Sequence, residues 1–480
     1  MVNEKSIAIK GGAWITLSTI VNLFTSVLRI AIFTRFLDKS DFGTVSIVNL
    51  VILLCNTFTD LGFSSVILYR QKLTKVEFSS LFWIQFIVYG FIYVILYIAS
   101  SPLSNFYKIE SLNILIPIAS ITIILQAFGK LYDTVLQKQY QFKTISIRNI
   151  ISNLLSLIVA PIFAMKGFGV YSLIYSALIQ SAVLNLWNFY SGIRYQNLCF
   201  KINLKEISSL LKIGIYQTGT RIFDFISGKL DVLIIGKALG VEALGVYDLA
   251  KELVYKLVYL IQAIISKVAQ PLLTNSNHDD EIIKLRFLKM TKVVAYLCIP
   301  ICFSVAIFSK YIIIILYGEK YIEAAPLVSI FSLITLVSSI TSFFDMLGVA
   351  KGRTDLNFKY TIYRIIITIP VVLLACQRSI LFVSISQLFL LLILVPIYWN
   401  IVVAQTYRID VNTYISQFKR VFLVFLTIAL ITVSFSLNSF WGLIINQILE
   451  MTLCLGLYLV LVFVGIKFFL YNEFKTLISI

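Results

Sequence analysis

Arg35-Phe-Leu-Asp-Lys-Ser-Asp-Phe-Gly43 closes one apolar run and opens the next, and Lys237-Ala-Leu-Gly-Val-Glu-Ala-Leu-Gly245 does the same 202 residues later. A second pair, Phe142-Lys-Thr-Ile-Ser-Ile-Arg148 and Phe358-Lys-Tyr-Thr-Ile-Tyr-Arg364, recurs at an offset of 216. The difference fits a longer acidic loop around Asp279, Asp280 and Glu281. The first pair follows spans one and seven, the second spans four and ten. A unit of six spans begins and ends on one side of a membrane, so the halves read as parallel repeats about an axis along the membrane normal, with a substrate cavity expected between them.

Composition requires the membrane. The chain has 480 residues, of which 59% are apolar and 13% charged, against about 45–50% and about 25% in soluble domains. Even a domain of about 300 residues buries only about three quarters of its chain surface. Walking the chain with a span of about 20 residues places candidates at 12–34, 42–66, 79–100, 112–134, 146–166, 169–191, 215–236, 244–270, 290–309, 324–349, 361–376, 380–404, 419–437 and 441–466. The expected fold is an all-α integral membrane protein of about fourteen transmembrane helices. It divides into an N-lobe (1–200, spans one to six), a C-lobe (201–405, spans seven to twelve) and two extra spans in 406–480.

The net charge of +17 is spread over short loops, which favours a positive-inside bias over nucleic-acid binding. Arg70, Lys72, Lys75, Lys138, Lys143, Arg148 and Arg194, with clusters in 267–292, 351–364 and 408–420, fall on the side of the N-terminus. The opposite loops hold little beyond Arg35, Lys39, Lys108, Lys166, Lys237, Lys310, Lys320 and Arg378. Both termini are therefore expected in the cytoplasm. Five of six cysteines lie in apolar runs, and the single histidine, His278, stands in a polar loop. No disulfide framework, metal site, Walker loop or nucleophile pair follows, and the chain reads as a carrier rather than an enzyme.

Ionisable groups at span centres cost about 2.5–3.5 kcal/mol each and usually face a wet cavity or a partner. Here they concentrate in the first two spans of each half. Span one offers Asn22, Ser26 and Arg29 at helical spacing, and span two offers Asn49, Asn56 and Asp60. Span seven carries Arg221, Asp224, Lys229 and Asp231. Span eight carries Asp248, Lys251, Glu252, Tyr255, Lys256, Tyr259 and Gln262 within one face. Arg29, Arg221, Lys229, Lys251 and Lys256 form the candidate cationic lining. The tyrosines, Gln262, Asn22, Ser26, Asn49 and Asn56 are candidate sugar contacts. Asp60, Asp224, Asp231, Asp248 and Glu252 are candidate counter-ions or coupling groups. Arg29 could instead snorkel, and Asp248 with Lys251 or Glu252 could form pairs within its own helix.

Lys10-Gly-Gly-Ala-Trp14, the Arg35–Gly43 motif and Asp60-Leu-Gly62 resemble bacterial polysaccharide flippases. Those are the Wzx-type O-antigen and capsule exporters of the MATE/oligosaccharidyl-lipid flippase superfamily. Asp231-Val-Leu-Ile-Ile-Gly-Lys-Ala-Leu-Gly240 with Ala243-Leu-Gly-Val-Tyr247, and Gly167-Phe-Gly-Val-Tyr-Ser172, are similar to that family's signatures in the two halves. The resemblance implies export of an undecaprenyl-diphosphate-linked oligosaccharide from the inner to the outer leaflet of the bacterial cytoplasmic membrane. It further implies alternating access with no cofactor, H+ or Na+ as the coupling ion, and polymerase and chain-length proteins of the pathway as partners. It implies a cationic cavity lined by spans one, two, seven and eight. Two other readings stand beside it. A multidrug or cation exporter of the same superfamily would favour an acidic cavity. A polysaccharide polymerase or ligase would carry a large outer loop.

Overall fold

The computed structural model describes residues 4–59, 63–69, 73–200, 225, 228–274, 280–437 and 447–470. Asp60, Arg221 and Asp224 therefore lie outside the described residues, with most of the seventh candidate span. The described residues form no β-strand. By their internal packing the residues fall into two compact units, Met1–Asp248 and Leu249–Ile480.

The first unit contains α1 (Glu4–Phe33), α2 (Lys39–Thr59), α3 (Phe63–Tyr69), α4 (Lys75–Tyr107), α5 (Leu112–Lys138), α6 (Phe142–Met165) and α7 (Tyr171–Gly192). It also contains α8 (residues 228–238) and the first nine residues of α9 (Gly240–Thr274). Apolar runs of this length become helices because a lipid environment leaves backbone N–H and C=O groups no partner but the helix itself. Local chemistry sets the ends. Thr74 and Glu77 close a capping box on α4, the Thr74 side chain accepting from Glu77 N while Glu77 Oε2 accepts from Thr74 N. Lys108 stops the same helix in a left-handed conformation. α5 packs against α4 and α7, and α1 lies along α6. Small residues allow the close approaches, since a Cβ on Gly129 would fall 2.5 Å from Asn185 Oδ1. Phe78, Phe82, Leu131 and Tyr132 seal the end of α4 and α5 against α3.

The second unit adds α10 (Asp280–Ile307), α11 (Ser309–Leu316), α12 (Ala325–Ile340), α13 (Phe344–Ala350), α14 (Thr354–Ala375) and α15 (Ile380–Tyr398). A π-helical stretch, Trp399–Val403, leads into α16 (Ala404–Tyr407), α17 (Val411–Ser416), α18 (Lys419–Leu437) and α19 (Gln447–Val464). Its core joins Phe287, Phe344, Tyr398, Trp399 and Tyr414. Tyr414 donates to the Ile340 carbonyl, and burial pushes its phenol up.

Among the described residues, nine helical segments are long and apolar enough to cross a membrane. α7 is long enough, but Gln180, Asn185 and Asn188 dilute its apolar character. One of the continuous spans expected from sequence is broken: span ten divides at Thr341–Phe343 into α12 and α13. At the break the hydroxyls of Ser339, Thr341 and Ser342 bond carbonyls three or four residues back, offering the backbone an alternative to the regular ladder.

Candidate functional site

Arg29 sits near the end of α1 in a chain of polar side chains that links three helices. Its Nη1 donates to Ser156 Oγ on α6 and to Gln180 Oε1 on α7, both at 3.0 Å. Gln180 Nε2 donates to Asn153 Oδ1 at 2.9 Å, and Asn153 Nδ2 donates to Asn22 Oδ1 at 2.8 Å. Two sequence candidates, Asn22 and Arg29, are thus two ends of one network. The amides between them were not singled out, although Asn149, Asn153 and Ser156 recur at spacings of four and three on α6. Ser26, on the same stripe of α1, only bonds back to the Leu23 carbonyl. In this environment the guanidinium is held by the bundle rather than by snorkelling.

Asp231 meets a different solution. It is 5% exposed in α8, and its Oδ2 accepts from the Tyr247 hydroxyl of α9 at 2.6 Å. Its Oδ1 accepts from Val232 N. The two helices are joined by a tight turn at Leu239 and Gly240, where Gly240 has φ +85°, a conformation that favours glycine. Lys229 is half-buried in the first turn of α8. On α2, Asn49 is exposed, while Asn56 Oδ1 is buried without a hydrogen-bond partner among the described residues. Asp248 Oδ2 accepts from Ser46 Oγ at 2.6 Å.

In the second unit the polar face of α9 continues. Lys251 is 9% exposed, with its ammonium 5.9 Å from the Tyr255 ring centroid, within cation–π range. Lys256 Nζ donates to Glu252 Oε2 at 2.8 Å, one turn back. Neither Lys256 nor Glu252 is deeply buried, and Tyr259 stands 64% exposed on the same stripe. Gln262 donates to Ser339 Oγ beside the break between α12 and α13. Within α9 the ion pair that forms is Lys256 with Glu252.

This arrangement of bundled helices with charge on a few of them belongs to a known class of membrane transporter folds. The structure superposes with a TM-score of 0.75 on "Lipid II flippase MurJ, inward closed conformation", at 17% identity over 96% of this chain and 99% of that one. It also superposes with a TM-score of 0.63 on a multidrug resistance MATE family transporter of the MOP superfamily, at 13% identity over 80% of this chain and 96% of that one. A family model described as "Polysaccharide biosynthesis protein" matches residues 32–326, and the chain belongs to that family. Teichuronic acid biosynthesis protein TuaB of Bacillus subtilis (strain 168) is 26% identical over 350 residues, 72% of each chain. Lipopolysaccharide biosynthesis protein WzxC of Escherichia coli (strain K12) is 22% identical over 378 residues, 79% of this chain and 76% of the relative.

Proposed function

We propose that this protein moves an undecaprenyl-diphosphate-linked oligosaccharide from the cytoplasmic to the outer leaflet of the bacterial cytoplasmic membrane, by alternating access, for surface polysaccharide synthesis. In this reading the chain crosses the membrane about fourteen times with both termini inside, and it works as a carrier with H+ or Na+ as coupling ion. Polymerase and chain-length proteins of the pathway are its partners. The family, the names of the relatives and the shared fold with a lipid flippase support the reading.

The observation that carries it is the face of α9, where Lys251 and Lys256 alternate with Tyr255 and Tyr259 along one membrane helix. A diphosphate is multiply charged, and a low-dielectric site strengthens its attraction to an ammonium several-fold over water. Tyrosine rings offer apolar faces to sugars while their hydroxyls bond ring oxygens. The two ammonium groups of this face favour an anionic cargo over the cations of a drug exporter, Asp248 being bonded to Ser46 and Glu252 to Lys256. Lys256 is partly exposed and its bond to Glu252 is within one helix, so a diphosphate could displace the carboxylate without breaking any tertiary contact.

The test is reconstitution in proteoliposomes with labelled lipid-linked oligosaccharide. Lys256→Ala should insert and fold normally but lose about tenfold or more of its transport, as expected when a desolvated charge contact is removed. Lys256→Arg should recover part of it, since charge matters more than fork geometry for this ligand. Normal transport by Lys256→Ala at wild-type protein levels would reduce the lysine to an ion-pair partner of Glu252.

A further inference from the structure

Gly43 in α2 and Gly245 in α9 lie back to back. A Cβ on Gly43 would fall 1.8 Å from the Val241 carbonyl oxygen, and one on Gly245 would fall 2.0 Å from the Lys39 carbonyl oxygen. The contact is reciprocal, because Lys39 and Val241 stand the same 202 residues apart as the two glycines. One turn further, Ser46 Oγ lies 2.6 Å from Asp248 Oδ2, at that offset again. The glycine ends of the duplicated motif therefore touch one another, and helix backbones meet with no room for a side chain, a water or a sugar between them.

Two properties make this crossing separable. At the two glycines it is formed by main chain against main chain, so no side chains interlock there. Ser46 Oγ also lies 2.9 Å from the Phe42 carbonyl on its own helix, so its proton keeps an acceptor when Asp248 moves away. A donor with two alternative acceptors is never left unsatisfied, and that removes the main cost of breaking a buried hydrogen bond. On the other side, the bond between Tyr247 and Asp231 ties the start of α9 to α8, so the two move as one piece.

We propose that the crossing of α2 and α9 at Gly43 and Gly245 is a gate that parts and re-forms in each transport cycle, with the Ser46–Asp248 bond as its latch. The proposal rests on the flippase reading above, and two separate readouts keep the two apart. In the first, Ser46→Cys/Asp248→Cys protein is bridged by oxidation or a short thiol cross-linker and assayed in proteoliposomes. Transport should fall about tenfold or more on bridging and return on reduction, as for an enzyme whose lid is locked, while either single variant should not respond.

In the second, Phe36→Cys and Ala238→Cys carry spin labels in a chain whose half-buried Cys55 and Cys199 are replaced by serine. Both labelled positions are exposed and share the 202-residue offset. Their distance distribution in liposomes should show a short and a long population, and Gly245→Ala should shift it toward the long one. Undiminished transport by the bridged protein overturns the gate and leaves the flippase reading standing. A single short distance in every condition also overturns the gate. If the unmodified protein moves no lipid-linked oligosaccharide yet shows both distances, the flippase reading falls and the gate stands.

Discussion

Arg29 and Asp231 stand 202 residues apart, at corresponding places relative to the duplicated motif, and carry opposite charges. The first is held by partners 127 and 151 residues away, on two other helices. The second is held by a phenol 16 residues away, across one tight turn. A cation in a bundle can thus be shared among neutral amides and hydroxyls that stitch three helices together. The described bonds of the anion are local, and they tie α8 to α9. The difference teaches where stiffness lies. The bonds of Arg29 distribute it through α1, α6 and α7, whereas those of Asp231 stiffen one helical hairpin.

The sharpest way to break this comparison is Arg29→Ala. It removes a charged donor with two acceptors, and the unfolding free energy in detergent should drop by about 2–3 kcal/mol, with Arg29→Lys recovering about half because an ammonium lacks the planar fork. A loss below about 0.5 kcal/mol would mean that the three-helix network carries no tension. Tyr247→Phe comes next. It strips a buried carboxylate of its donor and should cost about 1–2 kcal/mol in the same titration. Adding Asp231→Asn should return part of that, since a neutral amide is cheaper to leave under-bonded; an unchanged double variant would show that the phenol is not what holds Asp231. Asn153→Leu cuts the neutral middle of the network and should cost about 1 kcal/mol, at about 0.6 kcal/mol per membrane hydrogen bond. Lys284→Ala, which removes an exposed pair with Glu281 at 2.6 Å, should shift stability by less than about 0.5 kcal/mol and calibrates the series.

The same contrast explains what could be read from the sequence. Helix positions were legible because twenty-residue apolar runs admit little else, and α5, α6 and α15 begin within a few residues of expectation. The division after Ile340 was not, because hydropathy has no term for serine and threonine hydroxyls that bond back to the chain. Arg29 was noticed because it is charged. Its partners were passed over because Asn153, Ser156 and Gln180 look incidental one at a time, and only their helical spacing gives them away. The contact of Asp231 with Tyr247 lies within one hairpin and is open to local reasoning, but charge alone marks the aspartate only as a candidate counter-ion or coupling group. The glycine crossing was present in the repeated motif as a pattern, but nothing in one dimension says that a repeat touches itself.

α4 spans 33 residues between its capping box and its left-handed stop, which is about 50 Å at about 1.5 Å per residue. Its mainly apolar stretch, 81–99, interrupted by Gln85, covers only about 28 Å of that, close to the thickness of a bilayer's hydrocarbon core. The flanks are serines: Ser79 and Ser80 on one side, Ser100 and Ser104 on the other. Their hydroxyls bond carbonyls of their own chain. All four serines are buried, so they mark where α4 meets its neighbours rather than where it meets lipid or water. A small side chain whose hydroxyl is satisfied by its own chain leaves no polar group stranded when another helix comes close. The two ends of α4 are therefore contact surfaces, and the stretch between them is what reaches lipid.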